Sequence, residues 1–229
     1  MLGSFLSPFF LTPYNLYSIL WAVSVLGIVC LGQAILLITA NFDMSVSMVV
    51  PFTGIVTVGA QMANFGLWSS VMIGLLVATL IGLINGFIVV ITKANAFLIT
   101  FGMQTLVYAV ALIFTQARTW YVSIPEFHEL GRGQLFEKIH YSVIIFIGMA
   151  ILLEIILRYT RTGRYLFVLG ANEDAGNRLG LAMIKLKIIA FGFCGFMAGI
   201  AGLIMTSRLG QTREGGAVGM DFDSVIAVV

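Results

Sequence analysis

Residues 68–91 read WSSVMIGLLVATLIGLINGFIVVI, with no formal charge and with Gly74, Ala78, Gly82 and Gly86 falling every four residues. A helix of about 20 residues, rising 1.5 Å per residue, crosses the hydrocarbon of a bilayer, and this stretch has that length. Backbone groups left unpaired in lipid cost several kcal/mol each, so only helices and closed barrels span. A barrel strand alternates apolar and polar residues over about 10 positions, and nothing here alternates. The stretch therefore reads as a membrane-spanning helix, and it sets the class of the chain.

The flanking sequence has the same character. Of 229 residues, 60% are hydrophobic and 10% charged, against about a quarter charged in a soluble domain. Residues 1–117 carry only Asp43 and Lys93, while 118–187 carry fifteen charges and 188–229 five. The predicted spans are 17–38, 46–63, 68–91, 96–117, 141–158 and 188–207, and 224–229 begins a further membrane element. The expected fold is an all-α, polytopic transmembrane helical bundle of about six spans, one membrane-embedded domain over 1–229. Segment 46–63 is the weakest span, because it is short and is interrupted by Pro51, Gly54 and Gly59; a kinked or broken helix is expected there. The start, with Pro8 and Pro13, lacks the basic region and cleavage site of a secretory signal. It is read as irregular or interfacial, and Leu16–Ile38 as a retained helix.

Short cytoplasmic loops are rich in Lys and Arg. Loop 158–187 holds Arg158, Arg161, Arg164, Arg178, Lys185 and Lys187 against Glu173 and Asp174, so it is placed inside. Alternation then puts Lys93 inside, and 118–140 and 208–223 outside, with Trp120, Tyr121 and Tyr141 at the outer interface. A net charge of +2 gives no argument for a nucleic-acid partner. Cys30 and Cys194 lie in apolar runs with no metal or redox spacing and are read as buried packing residues.

Small residues at three- and four-residue spacing recur at Gly192, Gly195, Gly199 and Gly202. Such stripes let helix backbones approach closely in lipid. Packing within the chain is the preferred reading, and a dimer seam the alternative.

The polar stretch 159–187 holds a short helix with defined ends. Asn172 is an N-cap, Glu173 and Asp174 suit the positive end of the helix dipole, Arg178 suits the negative end, and Gly180 can close it in the left-handed region. With small residues at Ala175 and Gly176, the helix could fit a groove on a cytoplasmic partner. A solvated connector is equally open on charge alone.

An ionisable group at membrane depth is a functional candidate. Asp43, at the cytoplasmic end of the first span, is read first as an inexpensive N-cap for the next helix and second as a pathway residue. Asn85, Asn95 and Thr100 gather near the same ends, either lining an inner gate or satisfying helix termini. His128, and Glu126, Glu129 and Glu137 beside it, read as a solvated outer loop, and His140 as interfacial. No nucleophile with a base and no metal cluster is visible, which argues against a membrane enzyme; no catalytic, metal or cofactor residue is assigned. Spans nearly free of charge suit a neutral polar solute. A secondary transporter, with midplane ionisable groups and inverted repeats, and a non-transporting scaffold are the rival classes.

Four motifs resemble the permease subunits of ATP-binding-cassette importers for ribose and other simple sugars, relatives of the branched-chain amino acid permeases. Gly163, Arg164, Tyr165, Gly170, Asn172, Ala175, Gly180 and Leu181 answer the family's Gly-Arg-Tyr, Gly-x-Asn-x-x-Ala-Ala and Ser-Gly-Ile. Asp43, Ser45 and Val46 match Gly-Gly-Ile-Asp-Leu-Ser-Val-Gly, while Ala40 and Asn41 replace its glycines. Ile84, Asn85 and Gly86 form an Ile-Asn-Gly triplet, and Ala96, Phe97, Leu98, Ile99, Thr100, Phe101 and Gly102 follow Pro-Phe-Ile-Val-Thr-Leu-Gly with alanine for proline. Gly219–Val229 resembles Gly-x-Glu-Leu-Asp-x-Ile-Ala-Ala-Val-Val, with Asp221 for the glutamate.

The resemblance implies that 159–187 is the coupling loop, and it assigns to coupling Gly163, Arg164, Gly170, Asn172, Glu173, Asp174, Ala175, Gly176, Arg178 and Gly180. It adds Ser45 and Phe97 to Asp43, Asn85, Asn95 and Thr100 as pathway or gate residues. It implies cytoplasmic ATPase subunits, an extracytoplasmic solute-binding protein and a second permease subunit as partners, in a bacterial cytoplasmic (inner) membrane. Against the family pattern, the chain is expected to lack a first helix and the last helices, as a truncated or split permease would.

Overall fold

The computed structural model describes residues 11–135 and 139–229. Pro8 and Glu137 lie outside the described residues. The helices are α1 (Pro13–Ile38), α2 (Val46–Met62), α3 (Leu67–Thr92), α4 (Ala96–Thr115), α5 (Glu129–Arg132), α6 (Tyr141–Tyr159), α7 (Arg161–Ala171), α8 (Glu173–Arg178), α9 (Met183–Leu209) and α10 (Met220–Val228). Five of them, α1, α3, α4, α6 and α9, are long and apolar enough to cross a membrane. The chain is an all-α, multi-pass helical bundle.

Pro13 does not sit in irregular chain. It opens α1, where a proline's missing N–H costs nothing, and the Thr12 hydroxyl accepts from the Asn15 N–H at 3.4 Å. Pro51 does not break α2 either, since the helix runs unbroken through it. The span that looked weakest is the centre of the fold, with Val46–Ile55 buried without exception. The glycines that weakened it as an isolated helix allow its burial. Gly54 faces Thr206 and Thr212, and Gly59 faces the Trp120 ring.

α3 and α9 form the tightest seam. A Cβ built on Gly195 would lie 3.0 Å from the Gly82 Cα, one on Gly82 would meet the Phe191 carbonyl, and one on Gly199 would lie 2.9 Å from the Ala78 Cβ. Gly86 meets Ile188 and Phe191, Gly192 meets Leu83, and Gly202 meets the Val50 carbonyl on α2. Both small-residue stripes are thus consumed by packing within the chain. Met72, Leu76, Leu80, Ile84, Phe87 and Ile91 line the opposite face of α3 and are exposed, as side chains facing lipid would be.

Segments 39–45, 93–95 and 160–182 gather at one end of the bundle, the end with the excess of Lys and Arg. At the other end β1 (Trp120–Tyr121) pairs antiparallel with β4 (Gln211–Thr212), and β2 (Gln134–Leu135) with β3 (Ile139–His140). The outer loop is not a solvated connector. Phe127 is buried, the Ser207 hydroxyl donates to the Phe127 carbonyl at 2.5 Å and accepts from the Gly131 N–H at 2.8 Å, and His128 Nδ1 lies 3.1 Å from the Ser207 carbonyl. Arg208 sits over the Trp21 ring at 3.7 Å, and Trp21 stacks on His140 at 4.3 Å. His128 and His140 are therefore docking contacts. Glu126 and Glu129 remain exposed. Cys194 is buried as expected, whereas Cys30 is only partly so.

Candidate functional site

The end of the bundle that holds 160–182 carries two helices where one was expected. α7 begins with the Thr160 hydroxyl accepting from the Gly163 N–H at 3.2 Å, and it buries Leu166 and Leu169 while leaving Arg161, Arg164 and Phe167 exposed. The signal for α7 was present in the spacing of Gly163, Leu166, Leu169 and Gly170 on one helical face, though the charges around it read as loop. Gly163 presses on the carbonyls of Ile156 and Leu157, and Gly170 on that of Ile38. These glycines seat α7 on the ends of α6 and α1.

α8 has the ends its sequence specifies. Asn172 Oδ1 accepts from the Ala175 N–H at 2.9 Å, and Gly180 adopts φ +74°. Its flanks differ from the expectation that Ala175 and Gly176 together face a partner. Gly176 is buried, because a Cβ there would meet the Met183 side chain, while Ala175 is exposed. Glu173 turns back to Lys187 of α9, its carboxylate accepting from Nζ at 2.6 Å. The outward face is left to Arg164, Asn172, Asp174, Ala175 and Arg178. Between α8 and the α3–α4 turn lies a cleft of about 750 Å³, lined by Phe42, Lys93, Asn95, Asn172, Glu173 and Lys187 among others.

Asp43 does not cap α2 from an exposed loop. It is 1% exposed, and Ser45 holds the N-cap position without a side-chain cap bond. The Gln33 amide draws the loop back into the bundle, donating to the Asp43 carbonyl at 2.6 Å and accepting from its N–H at 3.1 Å. The Asp43 carboxylate then accepts from the Ser45 N–H (2.8 Å), the Ser45 hydroxyl (2.6 Å) and Asn85 Nδ2 (3.2 Å). A buried carboxylate is tolerable only with such donors. Thr100 joins the cluster by accepting from the Met44 N–H at 3.0 Å, and Asn85 Oδ1 is buried without a hydrogen-bond partner.

The expected gate residues thus divide. Asp43, Ser45, Asn85 and Thr100 form one buried node. Asn95 is an exposed cap for α4, accepting from the Phe97 N–H at 2.9 Å, and Phe97 packs between Phe42 and Phe101 with ring centroids 5.9 Å apart on each side. Reading the chain did not single out Gln33 or Gln104, although an amide inside an otherwise apolar span was a visible signal.

Residues 15–229 match the family described as branched-chain amino acid transport system / permease component. A ribose import permease protein of Haemophilus influenzae is 31% identical over 99% of this chain and 71% of its own length. That of Escherichia coli (strain K12) is 30% identical over the same shares, 99% and 71%. An L-arabinose ABC transporter permease protein of Azospirillum brasilense is 28% identical over 97% of this chain and 65% of its own. No solved structure matches the chain.

Proposed function

This chain belongs to the branched-chain amino acid transport system / permease component family, and from that membership we propose that it forms the pathway for a monosaccharide, ribose or arabinose in class, in an ATP-binding-cassette importer of a bacterial cytoplasmic membrane. It is a multi-pass transport subunit and not an enzyme. Family members work with ATPase and solute-binding partners; in this reading two permease subunits enclose the route, with the ATPases inside and the binding protein outside.

The observation that carries the reading is the α7–α8 platform. Its glycine faces are pressed onto α1, α6 and α9, and its other face leaves Asp174 and Arg178 exposed. Such an element moves with the bundle when pushed. Lys187 ties α8 to α9, and α9 is zipped to α3, so a displacement imposed by an ATP-loaded partner passes to the seam helices and to the node at Asp43. Alternating access then arises from the partner's preference for one conformation over another.

The test is co-purification with the cognate ATPase from membranes. Asp174→Arg with Arg178→Glu is expected to lower capture at least tenfold while the chain still accumulates. Unchanged capture together with unchanged sugar uptake would overturn the assignment of α8 to coupling.

A further inference from the structure

A second polar cluster lies apart from the Asp43 node. Gln104, nine residues into the twenty-residue α4, donates through Nε2 to the Ser47 hydroxyl at 2.8 Å and to the Asp221 carboxylate at 3.3 Å. Ser47 is fully buried and Asp221 is 4% exposed. Gln104 Oε1 is buried and has no hydrogen-bond partner. Eleven residues further along α4, about 16 Å at helical rise, the Thr115 hydroxyl donates to Glu214 at 3.0 Å. The segment 213–221 therefore descends beside α4 from the outer end to mid-helix depth, with an acid held by α4 at each level.

Resting on the transport reading, we propose that Gln104, Asp221 and Ser47 form a station that binds hydroxyl groups of the transported sugar midway along the pathway. A sugar hydroxyl both donates and accepts. An amide oxygen with no partner, a carboxylate beside it and a serine hydroxyl supply the complementary atoms within one hydrogen-bonded cluster. A packing role for Asp221, as an acid in the first turn of α10, accounts for the carboxylate but leaves Gln104 Oε1 unexplained. Burying an amide oxygen without a partner is unfavourable, and a sugar hydroxyl that donates to it relieves the cost.

The experiment uses the full chain with its ATPase and binding protein in proteoliposomes, with Cys30 and Cys194 replaced by alanine. Gln104→Cys is expected to react with a charged methanethiosulfonate during turnover at least tenfold faster than Leu106→Cys on the lipid-facing side, and D-ribose or L-arabinose should slow it. In the native-cysteine chain Asp221→Asn should raise KM for the sugar at least tenfold, with a smaller change in kcat. Labelling of Gln104→Cys no faster than Leu106→Cys, while Tyr121→Cys in the outer loop labels readily, would overturn the station even if uptake persists. An unaltered KM in Asp221→Asn would do the same. An unmutated assembly that takes up neither sugar while position 104 labels would overturn the sugar reading, and with it the ligand named here.

Discussion

Two regions of this molecule are built on glycine, and they use it differently. In the α3–α9 seam, Gly82 and Gly195 face one another across the helix pair, and the surfaces that meet are backbone. On the α7–α8 platform, Gly163, Gly170 and Gly176 each face an element of the bundle, while the other side of the same helices is polar and exposed. Lipid tails are as apolar as leucine, so helices in a membrane gain from close packing and not from leaving water. The seam is the form this takes when both partners are buried. The platform is the form it takes at the interface, where close packing on one side frees the other for recognition.

The largest effect is expected at the seam. Gly82→Leu drives a side chain into the Phe191 carbonyl, a clash that backbone cannot relieve by rotamer change, and should cost about 3 kcal/mol or more. The expected result is near-total loss of monodisperse protein in detergent. Next is the node beside the seam. Asp43→Leu leaves the Ser45 N–H and hydroxyl without their acceptor and strips Asn85 Nδ2 of one of its two, the Ser45 oxygen remaining, and should lower stability by about 2–4 kcal/mol in a denaturant titration, with Asp43→Asn milder because it keeps one acceptor.

On the platform, Gly170→Val displaces α7 from the Ile38 carbonyl and should reduce ATPase capture several-fold, while the α1–α4 and α9 core keeps most of its thermal stability. Retained capture by that variant would show that the glycine contact does not position the platform. Lys187→Ala removes the tie between α8 and α9. The pair is partly solvated, so stability should fall by only about 0.5–1 kcal/mol, and the sharper readout is a loss of ATPase stimulation at full capture. Smallest is Glu154→Gln, which breaks the exposed pair with Arg158 on α6; a change within about 0.5 kcal/mol is expected by melting.

Much of this was legible one segment at a time. Long apolar runs marked the five long helices, Asn172 and Gly180 marked the ends of α8, and the four-residue rhythm of Gly74, Ala78, Gly82 and Gly86 marked a packing face. α2 is short, as its sequence indicates, but it is not broken, because Pro51, Gly54 and Gly59 act differently in a packed bundle than in an isolated helix. In the bundle those positions let neighbours approach, and burial outweighs propensity. Loop 118–140 departs from a solvated connector for a related reason. Its glutamates read as solvated, and they are exposed, but Phe127, His128 and Gly131 dock on Ser207, nearly eighty residues away.

What the sequence alone determined is the set of properties carried by neighbouring residues: helical class, the long apolar helices, the capped α8 and the small-residue faces. Hydropathy, charge and helical period are local, and lipid enforces them segment by segment. The tertiary structure alone decided which polar groups meet: Gln33 with the backbone of Asp43, Asn85 with its carboxylate, and Gln104 with Asp221, 117 positions apart. The reason is that a buried hydrogen bond requires two groups within about 3 Å. Whether distant helices reach that distance depends on their register and rotation, which no short stretch of chain encodes.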